Sequence, residues 1–261
     1  MQLLARQILS SDPGVRKAAL EEIEERADPD VVPALIQALR FNADKEALNA
    51  ALEKLVHERP GTTWRDWMMW QEDHPEIKPF DGFDAYKADV MALLDENFRL
   101  FFRPGIKHNI RLEEIAWGGV RKDGIPALIN PTHTGAAAAE YLDDELVFGV
   151  EINGDALAYP LRILDWHEMF NDVVGGVPLA LAYCTLWGSG ILYETRLPPR
   201  TEPFIFGSSG FLYRSNKLMY DQQTHSLTTQ CPPDVHPMTT ECTPMPINAY
   251  FLFETGGGRP E

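Results

Sequence analysis

The chain has 261 residues, 44% of them hydrophobic, with 39 acidic against 23 basic side chains and a formal net charge of −16. That acidity excludes a nucleic-acid binder, which needs basic surface to displace counterions from phosphate, and it disfavours docking on anionic lipid. No apolar run approaches the roughly 18 residues that suggest a membrane span and no signal-like leader is visible, so a soluble, cytoplasmic protein is expected; three cysteines are too few for a disulfide framework.

Asp12-Pro13, Asp28-Pro29 and Asp44-Lys45 recur at an offset of 16 residues. Aspartate caps a helix by accepting first-turn N–H groups, and proline costs nothing at the next position, where the N–H has no intrahelical partner. Behind these caps run Val15, Ala19, Leu20 and Ile23, then Val31, Val32, Leu35, Ile36 and Leu39, then Leu48, Ala51, Leu52 and Leu55. The spacing is helical, with one apolar stripe per helix. Residues 1–58 therefore read as an antiparallel, HEAT-like helical module that braces a neighbouring domain or holds a protein partner.

Residues 59–105 form an aromatic-rich helical connector. Trp64, Trp67 and Trp70 stand three apart, and Phe80, Phe83, Tyr86, Phe98, Phe101 and Phe102 follow. Core packing is the preferred reading over a ligand platform, because such rings dominate buried area. From residue 106 to 230 the grammar changes to strands and turns. Strands are expected at 146–152, 157–159, 179–184, 191–194, 204–206 and 218–220, with a hairpin turn at Asn153-Gly154 and further turns at Gly175-Gly176 and at 208–210. Arg162 to Phe170 reads as a helix, with Asn171 and Asp172 as its stop. The expected fold class is α+β: a helical module followed by a mainly antiparallel sheet or partly closed barrel with a few helices. Residues 231–261 fit neither grammar and read as an irregular tail.

Candidate chemistry gathers between Leu146 and Glu194. Cys184 ends an apolar run and is a candidate nucleophile or soft-metal ligand; the structural alternative is a small buried hydrophobe. His167, in Trp166-His167-Glu168, is a candidate general base or metal ligand, against a histidine that bonds the backbone and braces its helix. Gly207, Gly210, Tyr213, Ser215, Asn216 and Asp221 form a small-residue stretch that reads as an anion-cradling loop or simply a tight turn. No P-loop lysine or dinucleotide fingerprint is present. His225, Cys231, His236 and Cys242 do not have structural zinc spacing.

The segments RLEEIAWGGVRKDGIPALINP, VEINGDALAYPLRILDWHEMFNDVVGGVP, AYCTLWGSGILYE and FGSSGFLYRSNKLMYDQQTHSL, in this order, resemble the domain of unknown function 3179 (DUF3179) family from about Ile110 to Gln230. HPEIKPFDGFDAYKADV is similar to a helical extension found in some members. The resemblance implies a Cys-x-x-Cys pair suited to thiol redox or metal chemistry, but Trp187 stands where the second cysteine is usual and Thr228 where a tryptophan is usual. Loss of pattern after about Gln230 implies a truncated or off-pattern end. The resulting expectation is a pocket of His167, Cys184 and the 207–221 stretch that binds a metal ion, of a transition type, or a small polar ligand. The alternative is a non-catalytic interaction module or a degenerate family member.

Overall fold

The computed structural model describes residues 1–41, 44–142, 144–185, 188–196, 199–214, 216–229 and 252–254. The chain divides into two compact units, Met1–Ala116 and Trp117–Glu261.

The first unit is helical: α1 (Gln2–Gln7), α2 (Pro13–Arg26), α3 (Val32–Ala38), α4 (Lys45–Val56), α5 (Trp64–Asp73) and α6 (Phe83–Ala92). All three expected aspartate caps form. Asp12 accepts the Gly14 N–H at 2.7 Å, Asp28 the Asp30 N–H at 3.1 Å and Asp44 the Ala47 N–H at 3.3 Å. The middle cap opens a single 3₁₀ turn, Pro29–Val31, that runs into α3. Leu20, Ile23, Leu48 and Leu52 are buried, so α2 and α4 turn apolar residues inward, although Val15 at the start of α2 is exposed; α3 is buried along its whole length.

The aromatic residues belong to this core. Trp67 is buried and donates its indole N–H to Asn49 at 2.7 Å; Trp70 donates to Glu58 at 2.8 Å and stacks on His74. Phe80, Phe83 and Tyr86 pack against one another, and the buried Tyr86 hydroxyl donates to Ala34 O at 3.1 Å. One charge is buried among them. Lys87 is fully enclosed and donates to Ile115 O, with the Phe102 ring centroid 5.6 Å away.

The second unit holds α7 (Leu161–His167) and most of the strands, arranged in separate sheets rather than a closed barrel. The central sheet has the order β2 (Leu128–Ile129), β5 (Met169–Val174), β6 (Val177–Cys184), β7 (Ser189–Glu194). Another contains β3 (Leu146–Ile152), β4 (Asp155–Pro160) and β11 (Leu252–Glu254), and a further one contains β8 (Phe206–Tyr213), β9 (Asn216–Asp221) and β10 (Leu227–Thr229). The short strand β1 (Ile115–Trp117) spans the division of the units, and just beyond it Gly118 donates its N–H to Gly210 O on β8. Within the stretch expected to be an irregular tail, Leu252–Glu254 pairs with β3.

Strand β6 explains the layering. Its residues Leu179, Leu181 and Tyr183 pack on one face with Phe148, Val150, Tyr159 and Phe170, while Ala180 and Ala182 pack on the other with Met169, Phe206 and Met219. Both faces are covered, which is why PLALAYC is a continuous apolar run instead of an alternating one. The hairpin turns sit where the sequence marks them. Asn153 and Gly154 (φ 51° and 80°) join β3 to β4, and Gly175 and Gly176 (φ 54° and 80°) join β5 to β6. The two turns clasp each other: Asn153 donates its amide to Gly175 O at 2.8 Å, and Asp155 accepts the Gly175 N–H at 2.9 Å.

Two expectations are corrected. The helix expected from 162 to 170 stops at His167, and Met169–Val174, read in part as a helix stop, is strand β5. Its pairing with β6 through the double-glycine turn overrides the helical appearance of the local sequence. Likewise the stretch 208–210, read as a turn, lies inside β8 as a strand whose register shifts between Ser208 and Phe211. Gly207 is there for close approach, since a Cβ would stand 2.7 Å from the Tyr220 ring. No helix among the described residues is long and apolar enough to cross a membrane.

Candidate functional site

Strand alternation places Cys184 on the same face of β6 as Ala180 and Ala182, the face that meets Met219 of β9. Lys217 lies two residues before Met219, so it reaches the same layer, and only 7% of its side chain is exposed. A lysine at that depth needs a carboxylate. Glu168 supplies it, with Oε2 2.8 Å from the Lys217 ammonium.

Glu168 is held for the task by local backbone geometry. It terminates α7 in the left-handed conformation (φ 52°), its N–H donates to Leu164 O and its carbonyl accepts the Tyr183 N–H at 2.8 Å. Chain reversal at this cap turns the carboxylate away from the helix and toward the end of β6. There the Thr185 hydroxyl lies 3.5 Å from Oε1. A half-buried thiol, an ammonium, a carboxylate and a hydroxyl are thus assembled at one end of the central sheet.

Burial pushes the Lys217 pKa below the usual lysine range; the Glu168 carboxylate pulls it partly back, and so does the Cys184 sulfur. Lys217 and Cys184 therefore feel each other electrostatically. Lys217 carries three N–H donors, and Glu168 is the acceptor recorded for it among the described residues.

His167 takes a different role from Glu168 beside it. Its Nδ1 bonds Pro126 O at 2.8 Å; since a carbonyl only accepts, Nδ1 carries the proton and Nε2 is left as an acceptor. No hydrogen bond joins it to Cys184 among the described residues. In the 207–221 stretch, Gly207 and Gly210 lie within β8, and Tyr213 pairs with Asn216 across the β8–β9 hairpin. Ser215 lies outside the described residues. Asp221 is buried and accepts from the backbone N–H groups of Gln223, Thr224 and Ser226 and from the Thr224 hydroxyl, organising the turn into β10.

Lys217 was not singled out by its sequence. The available signal was a lysine directly before the apolar run Leu218-Met219-Tyr220, where burial demands a counter-charge. Glu168 stands in the Trp166-His167-Glu168 triplet, but it pairs with Lys217, 49 residues on, and not with His167.

Among the described residues no group of three or more histidine, cysteine, aspartate or glutamate side chains is placed to hold a metal ion. Cys231, His236 and Cys242 lie outside the described residues, and His225 stacks near Tyr220.

No curated protein and no solved structure matches the chain. Residues 122–233 match a family described as protein of unknown function (DUF3179), a stretch that contains Glu168, Cys184 and Lys217.

Proposed function

We propose that the Cys184–Lys217–Glu168 corner is a site for a small, negatively charged polar ligand, with Cys184 as its reacting thiol. The observation that carries this reading is the buried Lys217 ammonium, which neighbours the sulfur and has donors beyond the one given to Glu168. A buried ammonium attracts anionic reagents toward its neighbourhood. Dithiol redox between positions 184 and 187 is ruled out by Trp187. The constant spacing of the Asp12, Asp28 and Asp44 caps supports a HEAT-like reading of the helical unit.

Charge-selective alkylation tests the site. Cys184 in the full chain, followed by peptide-resolved mass spectrometry, is expected to favour iodoacetate over iodoacetamide several-fold more strongly than Lys217→Met does. In that reaction the thiolate displaces iodide and forms one C–S bond, and comparing the ratio of the two rates between the two proteins cancels the reagents' intrinsic reactivities and leaves the effect of the Lys217 charge. Equal selectivity in the two proteins would remove Lys217 from any ligand-binding role.

A further inference from the structure

A second feature lies in the sheet layer of β3 and β4, apart from Cys184. A cavity of about 1010 Å³ is bounded by residues between Leu128 and Leu164, and neither Cys184, Lys217 nor Glu168 lines it. Its apolar walls include Leu128, Val147, Leu157 and Leu164, and its volume is of the size that takes a drug-sized organic molecule.

The wall also carries the polar side chains of Thr132, His133, Thr134, Glu140, Tyr159 and Arg162, and three of these have partners that do not line it. The Tyr159 hydroxyl donates to Asp172 Oδ2 at 2.8 Å, and its ring stacks on Phe170. Burial, reinforced by Asp172, raises the Tyr159 phenol far above its usual range, so it remains a donor. The Arg162 guanidinium pairs with Glu145 at 2.6 Å and lies over Tyr141. Asp172 is itself buried and does not line the cavity, but it reaches two residues that do: Tyr159, and His133 through Nε2 at 2.7 Å.

That second contact fixes the imidazole. A carboxylate only accepts, so the Asp172–Nε2 bond places a proton on Nε2, and in that tautomer Nδ1 is the acceptor. His133 keeps 37% of its side chain exposed, and no partner is recorded for Nδ1 among the described residues. A cavity with apolar walls and an oriented proton acceptor at His133 favours a ligand that places a donor against that nitrogen.

We infer that this cavity binds a compact, largely apolar organic molecule carrying a hydroxyl group, which donates its proton to Nδ1 of His133. Asp172 is the positioning residue that sets the tautomer, and Tyr159 donates to the same carboxylate oxygen, Oδ2. The site is independent of the chemistry proposed for Cys184.

The test uses the full chain with two probes, 1-naphthol and 1-methoxynaphthalene, which share a body and differ in the donor. Saturable binding is expected for both, with the methoxy compound weaker by about fivefold to tenfold, the value of one neutral hydrogen bond. In His133→Phe that preference is expected to vanish while apolar binding persists. In Ala158→Trp, which puts an indole at a lining position, both probes are expected to bind at least about tenfold more weakly, with the circular dichroism spectrum unchanged. Absence of saturable binding, equal wild-type affinities, a preference retained in His133→Phe, or undiminished binding in Ala158→Trp would each overturn the inference.

Discussion

Replacing Lys87 by methionine is expected to stabilise the helical unit by about 2 kcal/mol or more near pH 6, with the gain shrinking or reversing near pH 10. The wild-type ammonium is wholly buried. Burial drives its pKa from the usual 10.5 down to about 7, and the Glu113 carboxylate only partly opposes this. Between those two values the unfolded chain keeps a proton that the folded protein has released. Wild-type stability therefore rises with pH across the window from about 7 to about 10.5, and below it the folded protein bears the full cost of an enclosed charge. Methionine has nearly the same reach and no charge. It gives up the bond to Ile115 O, a loss of about 1–3 kcal/mol that keeps the gain well below what the pKa change alone implies. Urea denaturation at the two pH values, followed by tryptophan fluorescence, reads the difference directly, since Trp64, Trp67 and Trp70 all stand on α5. An equal gain at both pH values would show that the lysine is not charged in the way its burial implies.

Glu168→Gln is expected to destabilise the protein by about 3 kcal/mol, because it leaves the Lys217 ammonium buried without a counter-charge. Glutamine preserves the size of the side chain and the left-handed helix end, so the change isolates the charge. Lys217→Met alone is expected to cost less, since the Glu168 side chain is 18% exposed and can turn toward water. With both substitutions in one chain most of the stability should return. The thermodynamic cycle of the four proteins would then show a coupling of about 2 kcal/mol or more. Additive effects would mean that the two groups are not a desolvated pair.

Short-range features were legible in the sequence and long-range ones were not. The aspartate caps depend on side-chain acceptors two or three residues from their donors, and the Asn153-Gly154 hairpin on two residues that tolerate positive φ; both could be read directly. The tryptophans of α5 were placed in a core by their size and helical spacing; Trp67 and Trp70 are there, while Trp64 is half-buried. Strand β5 was missed because Met169–Val174 follows a helix with no break other than the αL turn at Glu168, where a glutamate gives no turn signal. Its identity is set by pairing with β6, a tertiary effect.

The same limit applies to the candidate sites. Cys184 was conspicuous because it ends an apolar run. Its charged neighbours were hidden: Lys217 is 33 residues further along and belongs to another sheet. Asp172 read as a helix stop because aspartate before two glycines commonly is one; its bonds to Tyr159 and His133 appear only once β4 and β5 are stacked. His133 sits in an irregular segment with no period of its own and gave no signal.

The proximity of Cys184 to the Lys217–Glu168 pair is tested most directly by nuclear magnetic resonance of protein labelled with ¹³C at the lysine ε carbons. Lys217, assigned by its loss in Lys217→Met, is expected to titrate below ordinary lysines, because burial outweighs its carboxylate partner. In Cys184→Ser, where the sulfur's negative form is gone, that titration should move lower still. A Lys217 resonance that titrates identically with and without the thiol would contradict the placement of the two groups in one site.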